Sequence, residues 1–101
     1  MKIVSKSDLD RQEKEFICQL WNAEYPEKLA YQSVAEFETY LNNLSDKMHY
    51  LLQDDSDEIQ GWAITFTREN ETWFAIIINS KMQNKGFGKQ LLNHLKSIEN
   101  K

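Results

Sequence analysis

Cysteine and proline each occur once in this chain of 101 residues, and glycine only three times. The lone Cys18 excludes an internal disulfide and a cysteine-based zinc cluster, so a reducing compartment is the default. A net charge of -4, with no arginine–lysine run, argues against a general nucleic-acid binder, which presents a basic face. No apolar run approaches the roughly 20 residues that span a bilayer, and the opening MKIVSKSDLD is too polar for a secretion signal. The chain is therefore expected to be cytoplasmic, with no membrane and no nucleic acid as partner. Internal repeats, low-complexity segments and interdomain linkers are missing too, which leaves one small domain.

What is present suits a folded core. Hydrophobic residues make up 41% of the chain, aromatics 12% and charged residues 28%, the profile of an ordinary globular protein. Lys2 to Ser5 is short and β-prone. SDLDRQEKEFICQLWN then shows helical spacing, with Leu9, Phe16, Ile17, Leu20 and Trp21 near one face. Ser7 or Asp8 can cap its start, and Pro26 ends the region that follows. A second helix opens at Ser33, whose spacing to Glu36 is that of a capping box. Val34, Phe37, Tyr40, Leu41 and Leu44 form its apolar stripe, and it should end near residues 43–45.

The period then changes. MHYLLQ, IQGWAITFTR and TWFAIII read as three strands joined by the short turns DDSDE and ENE, an antiparallel meander. In the third strand both faces are apolar, Trp73, Ala75 and Ile77 on one and Phe74, Ile76 and Ile78 on the other. That pattern predicts a strand buried between helix layers. With one sequence neighbour only, its exposed edge over residues 73–78 also invites pairing with another chain, and a homodimer is the simplest form of that. A last amphipathic helix runs from Gly86 to about Asn100 through Phe87, Leu91, Leu92, Leu95 and Ile98. The fold class is therefore α/β, a mixed, mainly antiparallel sheet with helices on both faces, in the order β-α-α-β-β-β-α.

The junction between the last strand and the last helix, Gln83-Asn84-Lys85-Gly86-Phe87-Gly88, carries the chemical signal. A helix start offers unpartnered N–H groups and the positive end of a dipole, so it is a natural anion site. Glycines there admit unusual backbone angles and keep side chains off the amides. Lys81, Lys85 and Lys89 can add charge, although each alone reads equally as a solvated helix-end lysine. The stretch is no Walker A loop, because Gly88-Lys89 is followed by Gln90. It also lacks the third glycine of a dinucleotide fingerprint.

Other candidates read more plainly. Glu69 and Glu71 are turn carboxylates, and His49 and His94 have no partner at metal spacing. Asp54, Asp55, Asp57 and Glu58 lack the glycine and the terminal glutamate of a calcium loop. Trp21, Tyr25 and Tyr31 flank the link between the first two helices and suit ordinary packing.

The hexapeptide at 83–88 resembles the Q/R-x-x-G-x-G/A signature of the GCN5-related N-acetyltransferases, and the element order resembles that family's layout over the whole chain. The resemblance implies an acyl-CoA N-acyltransferase-like fold and acetyl-CoA as co-substrate. It implies that the amides from Asn84 to Lys89, with Gln83 leading in, cradle a pyrophosphate. It further implies that the main chain of Ile76, Ile77 and Ile78 pairs with the pantetheine arm. The acetyl group would pass by direct attack to a primary amine of an unidentified acceptor. The family continues past this helix with a parallel strand, a further helix and two more strands, and its common tyrosine acid lies there. The chain is therefore expected to hold the N-terminal two-thirds of such a domain, over residues 1–101, with no catalytic residue assigned. Two other readings stay open: a non-catalytic acyl-CoA-binding or self-associating module that keeps the cofactor loop, and a structural α/β domain with a fortuitous loop.

Overall fold

The computed structural model describes residues 2–24, 31, 33–82 and 85–99. Tyr25, Pro26, Gln83, Asn84 and Asn100 lie outside the described residues, as does the side chain of Ile98. The elements are β1 (Lys2–Lys6), α1 (Arg11–Glu24), α2 (Val34–Asn42), β2 (Ser45–Gln53), β3 (Ile59–Arg68), β4 (Glu71–Ile78) and α3 (Phe87–Glu99), with a 3-10 turn at Ser80–Met82. The four strands form one antiparallel sheet in the order β1-β2-β3-β4. The order of elements and the meander match the sequence expectation.

Strand alternation divides the core in two. Leu51, Trp62, Ile64 and Ile77 point to one face, where Ile17, Leu20, Phe37 and Leu41 of α1 and α2 cover them. Tyr50, Leu52, Ala63 and Ile78 point to the other, where Leu91 and Leu95 of α3 pack. Helices thus lie on both faces, as the apolar stripes require.

The start of α1 differs from expectation. Neither Ser7 nor Asp8 caps it. Asp10 does: its Oδ1 accepts the Glu13 N–H at 2.8 Å, and Glu13 Oε1 accepts the Asp10 N–H at 2.9 Å. This reciprocal box satisfies two groups at once and stabilises the helix by about 1 kcal/mol. Glu13 Oε2 also accepts from Lys6 Nζ at 2.6 Å, which ties β1 to the helix. Leu9 lies just outside the helix and is still buried. Phe16 is 39% exposed. It sits roughly a quarter turn off the stripe centred on Ile17, at about 100° per residue. In α2 the predicted cap holds: Ser33 Oγ accepts the Glu36 N–H at 3.2 Å.

β4 is the larger correction. It was expected to be buried on both faces, yet Trp73 is 45% and Phe74 52% exposed. Among the described strands β4 pairs only with β3, and the helices cover its end at Ile77 and Ile78 rather than its beginning. Apolarity on both faces reports what a strand could bury, not whether a neighbour is there to bury it. The turn before it is tight. Glu69 and Asn70 both have positive φ (54 and 65), the geometry of a two-residue hairpin loop that follows strand twist.

Candidate cofactor site

β4 ends at Ile78, and Asn79 begins the loop to α3. The Asn79 N–H donates to the Gln60 carbonyl at 2.9 Å, and its own carbonyl accepts from the Met82 N–H at 2.8 Å. Because an antiparallel ladder alternates, this bond sets the rest of the strand. The main-chain groups of Ile77, Ala75 and Trp73 turn towards β3, and those of Ile76 and Phe74 turn to the open edge. Of the three isoleucines singled out in the sequence, Ile76 therefore offers edge groups, and Ile77 spends its own on β3. Ile78 shares the outward register of Ile76 and already has an interaction of its own.

Gly86 has φ of +85, in the left-handed region that side chains disfavour. Its carbonyl accepts the first helical bond of α3, from the Gln90 N–H at 3.0 Å. The amides of Phe87, Gly88 and Lys89 precede that first rung and have no acceptor within the helix. A Cβ at Gly86 would meet no atom within 4 Å, so the space beside the helix start is open. A Cβ at Gly88 would stand 3.7 Å from Ile78 Cγ1, ordinary contact with the end of β4. Lys85 and Lys89 are exposed here, and Lys81 is exposed in the 3-10 turn. None of the three takes part in an ion pair among the described residues. The chain thus gathers Ile76, Ile78, Lys85, Gly86, Phe87, Gly88 and Lys89 at one corner of the sheet, where open space beside Gly86 meets helix-start amides with no acceptor within the helix, the setting that suits a phosphate.

Ile78 joins the two glycine positions. A Cβ on Gly61 would come within 2.7 Å of Ile78 Cδ1 and 3.3 Å of the Ile77 carbonyl oxygen. Gly61 is therefore absent of side chain because Ile78 crosses it on the way to α3. Neither Gly61 nor the role of Ile78 was visible from spacing.

Other depressions have different chemistry. One of about 420 Å³ is lined by Asp10, Glu13, Asp57 and Glu58 around Phe16 and Ile59, the wrong sign for a phosphate. On the α1/α2 face Trp21 is ringed by Tyr31, Phe37, Tyr40 and Trp62, with ring centroids 5.4 to 6.4 Å away. Asn22 clamps Tyr31 from both sides, donating to its carbonyl at 2.9 Å and accepting its N–H at 2.8 Å. Burial pushes the Tyr31 hydroxyl up to about 12, so it stays protonated. A depression of about 300 Å³ lies beside this cluster, between Tyr40, Asn43, Leu44 and Phe66, Thr67 and Arg68.

The remaining titratable candidates are structural. His49 is almost wholly buried, and its Nδ1 accepts the Trp62 Nε1–H at 3.1 Å. Burial, with Lys47 beside it, lowers its pKa to about 4. His94 packs edge-on against Tyr50 at 5.6 Å. Burial also pushes the Cys18 thiol up, leaving it unreactive. Glu69 and Glu71 are exposed at the far end of β4, roughly 23 Å along the strand from Ile78 at about 3.3 Å per residue. Among the described residues no group of three or more His, Cys, Asp or Glu could hold a metal, and no helix is long and apolar enough to cross a membrane.

Solved structures share this architecture. An aminoglycoside 6'-N-acetyltransferase complexed with coenzyme A superposes with a TM-score of 0.75 at 20% identity, over 96% of this chain and 54% of that one. A chimera of the Vibrio cholerae spermidine N-acetyltransferase SpeG and hSSAT gives 0.70 at 26% identity, over 94% and 61%. A GCN5-related glucosamine N-acetyltransferase region of a fungal multi-domain β-N-acetylglucosaminidase gives 0.69 at 13% identity, over 92% and 12%. The chain thus spans between about half and two thirds of the first two relatives. No curated protein sequence matches. The sequence model of the acetyltransferase (GNAT) family matches residues 14–98, which take in β2, β3 and β4, all of α2 and most of α1 and α3, and the chain belongs to that family.

Proposed function

We propose that residues 1–101 form the cofactor-binding part of a single N-acetyltransferase domain that uses acetyl-CoA. The observation that carries the reading is the corner where the α3 amides open onto free space beside Gly86. In this reading the amides of Phe87, Gly88 and Lys89, with Gln83 and Asn84 leading in, hold the pyrophosphate. Lys85 and Lys89 offset its charge, and the main chain of Ile76 pairs with the pantetheine arm as an added strand would. Bound acetyl-CoA supplies a thioester that the unprotonated primary amine of an acceptor attacks directly, releasing the CoA thiol.

The aromatic face around Trp21, Tyr31 and Tyr40 is the acceptor side, since it borders the sheet opposite α3. No residue of this chain is assigned as base or acid. The open edge ahead of Ile76, around Trp73 and Phe74, accepts a further strand from the rest of a longer domain, and pairs with a second copy where none covers it.

Calorimetric titration with acetyl-CoA tests the reading. Wild type should bind, and Gly86→Ala should weaken binding about tenfold or more, because φ of +85 costs a side chain about 1–2 kcal/mol. Gly88→Ala should bind nearly as wild type, given its 3.7 Å clearance. No heat from wild type sinks the reading. Release of CoA thiol with a panel of amines separates a catalyst from a module that only binds.

A further inference from the structure

The loop that leaves β4 is held at its root by a line of part-buried side-chain hydrogen bonds. Asn79 uses every polar group it has. Beside its two main-chain bonds, its Nδ2 donates to Gln60 Oε1 at 3.2 Å and its Oδ1 accepts the Lys81 N–H at 3.1 Å. Gln60 is buried, and the other end of its amide donates from Nε2 to Asp54 Oδ2 at 3.0 Å. Asp54 is itself fixed in the β2–β3 turn, where Oδ1 accepts the N–H groups of Ser56 at 2.8 Å and Glu58 at 3.0 Å. Three residues spread over the chain thus form one line of hydrogen bonds from a turn to the start of the glycine loop.

A buried glutamine loses more side-chain freedom than an apolar residue of like size, and its amide gives up hydration as well. Its two placed contacts give that cost a structural purpose. Amides that hold an anion work only when their directions are set beforehand. α3 is fixed at one end of the loop by Leu91 and Leu95 in the core. The Asn79 root is the other end, and Gln60 is what holds it from the side.

We infer that Gln60, acting through Asn79, is a positioning residue for the phosphate-holding loop, tying its orientation to the β2–β3 turn. The inference rests on the reading that this loop binds the phosphates of CoA. Gln60→Leu keeps the volume and removes both contacts. Asn79→Ser keeps an oxygen for the Lys81 amide but cannot reach Gln60, and serves if the first variant does not fold. Two measurements are made on each: affinity for CoA by calorimetry, and hydrogen exchange, without ligand, of the bonded amides of Lys81, Met82 and Gln90 at the two ends of the loop, against β1.

Loss of a part-buried contact of this kind should weaken CoA about tenfold and speed exchange at Lys81, Met82 and Gln90 by a similar factor. Exchange in β1 should stay at the wild-type rate. Unchanged loop exchange overturns the inference, as does equal loss of protection in β1, which marks general destabilisation. Wild-type CoA affinity in both variants overturns it as well. If wild type itself binds no CoA, the cofactor reading fails while the exchange comparison still decides the latch.

Discussion

Acidification should destabilise this fold through a single imidazole. His49 is held neutral by its surroundings: it is buried, Lys47 and Lys14 disfavour its charge, and Asp8 and Glu13 only partly oppose them. Its Nδ1 is also the acceptor for the Trp62 indole N–H. Protonation would place a second donor against that N–H, so the contact is lost as the charge appears. The pKa falls from 6.5 to about 4 on folding. The unfolded chain therefore binds the extra proton first, and stability drops as pH falls below about 6.5, with the full loss reached below about 4. That gap corresponds to about 3 kcal/mol, at 1.36 kcal/mol per tenfold, a large part of the roughly 5–15 kcal/mol that holds a domain together.

Urea unfolding of wild type and His49→Gln between pH 7 and pH 4 isolates the effect. Glutamine keeps an acceptor for Trp62 and cannot titrate, so contributions from carboxylates cancel in the difference. The two stabilities should converge by about 3 kcal/mol as the pH falls. Parallel curves across that range would refute the argument. His49→Phe cannot titrate either, and should lie about 1–3 kcal/mol below His49→Gln at every pH, because it strands the indole N–H.

Two further perturbations follow from packing and exposure. Gly61→Ala should lower stability by about 1–3 kcal/mol through the 2.7 Å approach to Ile78. Ile78→Val, which removes the clashing methyl, should recover part of that loss in a double-mutant cycle; additive effects would mean that the two residues do not meet. Trp73→Ser with Phe74→Ser should change stability little, as both side chains are about half exposed. The same pair should reduce any dimer measured by sedimentation, and an unaltered dimer would place the interface elsewhere.

The elements were legible because they rest on short-range signals. The 3.6 and 2.0 periods separate helices from strands, and Ser33 with Glu36 fixes one helix start. Asp10 and Glu13 carry the same spacing, but three acceptable caps within four residues, Ser7, Asp8 and Asp10, hid which one the chain uses. The glycine loop could be singled out as well, since its six residues, 83–88, are consecutive. What stayed hidden depends on register. Gln60 meets Asn79 across 19 residues and His49 meets Trp62 across 13, and only strand pairing brings them together. The burial of β4 depends on a neighbouring strand, so its own composition could not decide it. Phe16 was misplaced for a smaller reason: it lies at the margin of a stripe that it does not share.

The three tryptophans occupy three different environments. Trp62 is fully buried beside the His49 ring at 6.0 Å, Trp21 sits half-buried among tyrosines, and Trp73 is about half exposed in β4, its indole N–H donating to the Arg68 carbonyl. The molecule therefore carries its own optical reporters. Docking of a strand on the β4 edge should dry Trp73 and shift its emission to the blue, while charging of His49 should quench Trp62 before the fold opens.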